Sequence, residues 1–338
     1  MLNFEDFPEH GEEISTLQKQ AAEGRLVHAI LITGDEGVGK RSLANVLAAA
    51  LLCEAGDRKP CGICSSCRLA DANEHPDITL IEKGKPLSAD TAKGRATIPV
   101  DDIREMIRIC SRYSFEGKCR VVIIAEAGDM TPQAQNSLLK ILEEPPRDTF
   151  FILTSSHPEQ LLTTVRSRCM PVRMVPWEDT RIEQVLVRAG TGADKARQAA
   201  SAANGSIGRA FSLVSDEAYW KTREEVLNSF FRNRKRSEIL SLSSAWKDKK
   251  GEADQIFGIL ESFMHTLAAY RFRGNKEEIS FFPGEWIRFA AEAPLERLNG
   301  LTDKIRDARK QASFNVNFQA IIEQLLLVFI GETDLWVN

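Results

Sequence analysis

Seven residues, Gly34-Asp35-Glu36-Gly37-Val38-Gly39-Lys40, follow the apolar run His28 to Thr33 and open the helical pattern Lys40 to Leu52. A strand running through a glycine-rich turn into a helix that begins with lysine has the context and spacing of a phosphate-binding loop. Gly34, Gly37 and Gly39 let backbone amides curl round phosphate oxygens, the helix N-terminus favours an anion, and Lys40 can reach the outer phosphates. Four more short apolar runs, Ile78 to Ile81, Val121 to Ala125, Phe150 to Thr154 and Val172 to Val175, are bounded by polar residues or by Gly and Pro. Helical patterns at Val100 to Ile109 and Thr131 to Leu142 lie between them. Strands alternating with helices predict an α/β domain, a parallel sheet flanked by helices, over residues 1 to 176.

The loop has lost its metal chemistry. The residue after Lys40 should offer a hydroxyl to Mg²⁺, but it is Arg41, and Ser42 comes one place late. One place on a helix is a rotation of about 100°, so Ser42 points elsewhere. Asp35 and Glu36 add negative charge to a loop meant for polyphosphate. In Val121-Val122-Ile123-Ile124-Ala125-Glu126-Ala127, Ala125 stands where an aspartate would hold the metal. Glu126 follows, either as a water-activating carboxylate or simply as a polar strand end. Phosphoryl transfer is almost wholly positioning and charge neutralisation, so ATP and Mg²⁺ in this site are doubtful and hydrolysis is expected to be negligible.

Seven cysteines occur, four of them, Cys53, Cys61, Cys64 and Cys67, within fifteen positions. The two overlapping Cys-x-x-Cys turns let successive sulfurs converge, and seven residues between Cys53 and Cys61 give loop enough to bring in a fourth. Four thiolates and no histidine favour a closed, structural tetrahedral Zn²⁺ site. The alternative is an iron–sulfur cluster, because Cys61, Cys64 and Cys67 reproduce the start of a ferredoxin run, but Asp71 stands where that run needs its fourth cysteine. Cys110, Cys119 and Cys169 read as buried small hydrophobes.

At 338 residues the chain suits two or three domains. Ala- and Arg-rich helical sequence from 177 to 214, turning at Asn204-Gly205-Ser206, predicts a small helical lid. Residues 215 to 338 show 3.6-period segments near Glu217 to Phe231, Asp254 to Phe272, Pro294 to Arg309 and Phe318 to Phe329, which predict an all-helical domain. The first thirteen residues are acidic and no apolar run reaches the roughly 18 residues of a membrane helix, so a soluble cytoplasmic protein is expected. A net charge of −4 lacks the footprint of an autonomous DNA binder. Arg104, Arg108 and Arg112, spaced i, i+4, i+8, would share one helix face, either as a basic row or as a solvated surface.

In Asn136-Ser137-Leu138-Leu139-Lys140-Ile141-Leu142-Glu143-Glu144-Pro145-Pro146, Ala134, Leu138, Ile141 and Leu142 recur at helical spacing, Lys140 and Glu144 suit an i,i+4 pair, and two prolines stop the helix. The string closely resembles the segment after the second nucleotide motif in bacterial clamp-loader subunits of DNA polymerase III, which are AAA+ proteins. Ser167-Arg168-Cys169 and the closing Asn315-Val316-Asn317-Phe318-Gln319-Ala320-Ile321-Ile322-Glu323-Gln324-Leu325-Leu326 extend the resemblance across most of the chain.

The resemblance implies a RecA-like AAA+ domain carrying an inserted zinc module at about 53 to 67, then the lid, then a collar for oligomerisation. It implies that Arg168 projects into the ATP site of the next subunit, that Thr154 and Arg209 occupy the two sensor places, and that Val100-Asp101-Asp102-Ile103-Arg104 approaches duplex phosphates. It implies as partners the ATPase subunits (gamma/tau), the delta subunit, the sliding clamp and primed DNA, in a polymerase holoenzyme whose polymerase site lies elsewhere. The competing expectation is a hydrolysing gamma/tau motor, against which Arg41 and Ala125 stand. An unrelated P-loop kinase or zinc-dependent transcription factor would leave the Leu-Glu-Glu-Pro-Pro helix and Ser167-Arg168-Cys169 unexplained.

Overall fold

A computed structural model of the chain describes residues 2–7, 11–56, 59–87, 95–111, 118–231, 236–274, 284–314 and 316–330. It divides into two compact units, Met1–Trp177 and Glu178–Asn338.

The first unit runs α1 (Gly11–Ala22), β1 (Ala29–Thr33), α2 (Lys40–Leu52), α3 (Ser65–Asp71), β2 (Ile78–Ile81), α4 (Val100–Cys110), β3 (Arg120–Ile124), α5 (Pro132–Glu143), β4 (Thr149–Ser155), α6 (Thr163–Arg166) and β5 (Met170–Arg173). Its five strands lie in the order β2-β3-β4-β1-β5, and every pairing is parallel. Parallel strands covered by helices are nearly continuous apolar runs, and Val121 to Ile124 are each 0% exposed. Strand β3 begins one residue before its apolar run because Arg120 is buried beside Asp77, 3.7 Å away. On one face Ile103 and Met106 of α4 and Ala134, Leu138, Ile141 and Leu142 of α5 pack on Val122, Ile124, Phe151 and Leu153.

Helix α5 is set by its ends. Thr131 caps it by accepting from the Ala134 N–H, Pro132 occupies its first turn, and Pro145-Pro146 cannot continue it. The expected Lys140 and Glu144 pair is corrected: Glu144 leaves helical geometry at φ −126°, ψ 74° as the C-cap, and no ion pair joins the two among the described residues.

The second unit is helical throughout its described residues: α7 (Asp179–Arg188), α8 (Ala193–Ala203), α9 (Ile207–Ser215), α10 (Glu217–Phe231), α11 (Ile239–Ala245), α12 (Ala253–Arg273), α13 (Gly284–Glu292), α14 (Leu295–Ala312) and α15 (Phe318–Ile330). Helix α12 is its spine, with Ile256, Phe257, Ile259, Leu260, Phe263, Met264 and Leu267 buried. The turn between α8 and α9 uses Asn204 in the left-handed region and Ser206 as the cap of α9. Asn315 and Arg112 lie outside the described residues. No described helix is long and apolar enough to cross a membrane.

Candidate functional site

Strand β1 ends at Thr33 and the loop begins with Gly34, where a Cβ would come within 2.6 Å of the Met174 carbonyl oxygen, so only glycine fits beside the end of β5. Gly37 follows in the middle of the loop. Gly39 caps α2 at φ 101°, a left-handed conformation that side chains resist. The outer side is pinned by Trp177, whose indole N–H donates to the Val38 carbonyl at 2.8 Å and whose ring packs edge-on against Phe7.

Lys40 is 4% exposed and its ammonium is engaged within the chain. It donates to the carbonyls of Gly34 and Asp35, each at 3.0 Å, and to Ser156 Oγ at 2.7 Å, and lies 3.2 Å from Glu126 Oε1. An ammonium has three N–H groups, so four oxygens already compete for them. Glu126 is held in turn: its carboxylate accepts from the Ser156 N–H at 2.6 Å and from the Ser156 hydroxyl at 3.1 Å, and its own N–H donates to Thr154 Oγ1 at 3.1 Å. Its backbone sits at φ 47°, a costly position for a side-chain-bearing residue. The ends of β3 and β4 are thus stitched to the phosphate loop through Thr154, Ser156, Glu126 and Lys40.

Arg41 turns away from the loop to pair with Glu82 just beyond β2, and Lys85 pairs with the same carboxylate. Burial pushes the Glu82 carboxyl up, but the bond from Lys85 and the charges of Arg41 and Lys85 outweigh it and hold the pKa below its ordinary value. Ala125 is buried and offers no ligand. Asp35 and Glu36 are exposed at the loop's surface. The site therefore has a phosphate loop's backbone with neither expected Mg²⁺ contact.

Cys53, Cys61, Cys64 and Cys67 converge, with all four sulfurs within 4.8 Å of one another. The Cys61 and Cys67 sulfurs are 3.9 Å apart. The Ala55 and Cys61 N–H groups donate to Cys53 Sγ, Cys64 N–H to Cys61 Sγ, and Cys67 N–H to Cys64 Sγ, at 3.4 to 3.5 Å. Backbone N–H groups of Ile63 and Cys64 bring the Cys61 thiol down to about 6, while burial pushes Cys53 and Cys67 up. Lys118 caps the end of α2 through the carbonyls of Leu52 and Cys53, each at 3.3 Å, and Ser65 and Ser66 donate to Glu54. Four soft sulfurs gathered this closely could hold a single metal ion. Cys110, Cys119 and Cys169 are buried apart, their thiols raised by burial to about 11, 11 and 12.

Arg168 lies after α6 and forks onto the C-terminal residue of α5. Its Nε donates to Glu143 Oε1 at 2.8 Å, Nη2 donates to the same oxygen, and Nη1 donates to the Thr164 carbonyl at 2.8 Å. The α5 to α6 connection is tied at its other end by buried Gln135, whose amide donates to the carbonyls of Met130 and Gln160, both at 3.2 Å, and accepts from the Leu162 N–H at 2.7 Å. Glu143, Gln135 and Ser156 were not expected from the sequence. Only Gln135 carried a signal, as a polar residue next to Ala134 on the apolar stripe of α5.

Arg104 is exposed on α4 and pairs with Asp101 at 3.2 Å, and Arg108 pairs with Glu105 at 2.6 Å. Arg209 is half-buried in α9, where its N–H bonds the Ser206 hydroxyl.

Residues 9–178 match the sequence profile described as DNA polymerase III, delta subunit, and residues 217–331 match that of its C-terminal domain. The chain is 27% identical over 312 residues to the Bacillus subtilis DNA polymerase III subunit delta′, covering 90% of this chain and 91% of that protein. It is 32% identical over 244 residues to the Haemophilus influenzae subunit delta′, covering 70% of each. A Mycobacterium bovis DNA polymerase III subunit gamma/tau is 38% identical over 156 residues, but these are 45% of this chain and 25% of that protein. Matched in both of its units and along nine-tenths of a relative's length, the chain belongs to the delta′ family of DNA polymerase III clamp-loader subunits.

Proposed function

We propose that the protein is a ring subunit that supplies Arg168 to a neighbour's ATP and keeps its own phosphate loop closed. The observation that carries this reading is Lys40: the group that would grip terminal phosphates is buried and satisfied by Gly34, Asp35, Ser156 and Glu126. Any nucleotide must displace those contacts with no Mg²⁺ ligand at Arg41 or Ala125 to assist it. Arg168 supports the other half, because a guanidinium stays charged at any working pH and its rigid fork suits a terminal phosphate.

In this reading the chain has three domains, 1–176, 177–214 and 215–338, the last a collar that joins it to the ATPase subunits (gamma/tau) and the delta subunit. The assembled ring opens the sliding clamp and loads it at primed DNA in the cytoplasm, with Arg104 a local contact to phosphates. Thr154 and Arg209 keep the sensor places without a metal to sense. The cysteine cluster holds one structural Zn²⁺.

Steady-state ATP turnover by the isolated chain tests the closed loop. Turnover close to background is expected. Turnover near that of a working clamp-loader ATPase contradicts it and favours a motor subunit.

A further inference from the structure

The contact between Arg168 and Glu143 joins the Ser167-Arg168-Cys169 segment to the Leu142-Glu143-Glu144-Pro145-Pro146 helix end. Of the five N–H groups of a guanidinium, Nε–H, one on Nη2 and one on Nη1 are committed to Glu143 Oε1 and the Thr164 carbonyl. One N–H on each terminal nitrogen remains beyond these bonds. The side chain is 31% exposed and its partner carboxylate 50%, so the pair sits at the surface. An exposed arginine on its own would sample many rotamers and lose that freedom on meeting a phosphate. Held by its Nε edge, it meets the phosphate already oriented.

We infer that Glu143 is the positioning residue for Arg168: it holds the Nε edge so that the two free N–H groups face outward to a phosphate of the neighbouring subunit. The inference rests on the reading of Arg168 as a group acting in trans. Glu143 does not touch the phosphate and acts only through Arg168. Glu143 is fixed by the C-terminal turn of α5, and Gln135 fixes α6 against the same helix, so the arginine's base and its tip are referred to one rigid element. Because both bonds end on a single oxygen, glutamine can replace glutamate as the acceptor, whereas alanine cannot.

The test uses the reconstituted clamp-loader complex carrying Glu143→Ala, Glu143→Gln, Arg168→Ala or Glu143→Ala with Arg168→Ala, with thermal melting of each chain to check its folding. DNA-stimulated ATP turnover is followed against ATP concentration. Glu143→Ala is expected to remove most of the turnover that Arg168→Ala removes, through kcat with KM little changed, since a misplaced catalytic group costs up to about 100-fold at the site it serves. Glu143→Gln is expected to keep most of the wild-type rate, and Glu143→Ala to cost nothing further once Arg168 is alanine. Normal turnover with Glu143→Ala beside a defective Arg168→Ala overturns the positioning role and leaves the arginine reading standing. An added loss in the Arg168→Ala background, or Glu143→Gln as poor as Glu143→Ala, overturns it as well. A silent Arg168→Ala removes the arginine reading and this inference together.

Discussion

Lys40 Nζ lies 3.2 Å from Glu126 Oε1, joining the lysine of the glycine-rich loop to the carboxylate that follows β3. Each partner satisfies the other, and Ser156 bridges both.

Lys40→Ala is therefore a stability variant. It leaves the Gly34 and Asp35 carbonyls and the Ser156 hydroxyl without their shared donor. Hydrogen bonds to charged groups contribute about 1.5 to 3 kcal/mol each when lost, and Glu126 is 42% exposed and can turn to water. With three such bonds removed and their acceptors partly rehydrated, we expect a loss of at least about 2 kcal/mol in urea unfolding of the isolated chain. An unchanged midpoint would show that the ammonium is not a strut.

Acid should expose the Glu82 cluster. Its folded pKa is held below the ordinary 4.5 by Lys85 and Arg41 against the opposing effect of burial. A depressed carboxylate stabilises above its unfolded pKa and loses that contribution as pH falls through the folded value. The wild-type chain is expected to lose stability below about pH 4.5, and Lys85→Ala or Arg41→Thr to flatten that dependence. Their cost at pH 7 should be under about 1 kcal/mol, as for other partly exposed pairs. Identical pH profiles for all three proteins would contradict the linkage.

Elemental analysis of the purified chain should give one Zn²⁺ per molecule, and Cys61→Ser should lower its occupancy. A sulfur cage within 4.8 Å with no imidazole suits zinc's closed structural sites. A brown protein with visible charge-transfer absorption would mean an iron–sulfur cluster, and a metal-free one would contradict the metal site that the cysteine spacing implies.

The sequence made the sheet legible because a parallel strand covered on both sides must be apolar along its length, and Val121 to Ile124 or Phe151 to Leu153 cannot hide. Helices with one strong apolar face, α5 and α14 among them, were legible for a similar reason. Short α6 and the helices α11 and α13 were not, since they span too few residues for a helical period to stand out from their surroundings. The cysteine cluster was readable from spacing alone. Glu143 was not, because its partner lies 25 residues away and an exposed carboxylate at a helix end reads as a solvated charge. Ser156 was hidden in the same way, a hydroxyl just beyond β4 whose role depends on Lys40, 116 residues earlier.

The central claim, that this chain serves its neighbour's ATP, is tested most directly by Arg168→Ala in the reconstituted complex, following DNA-stimulated ATP turnover together with clamp deposition on primed DNA. An arginine acting in trans is worth roughly 10³- to 10⁵-fold at the site it serves, while the other sites keep their own arginines. The account predicts a folded variant that joins the ring, a partial loss of bulk turnover and a larger loss of clamp deposition, which needs the sites to act together. Normal rates in both assays would contradict it and leave Arg168 a surface charge on a scaffold.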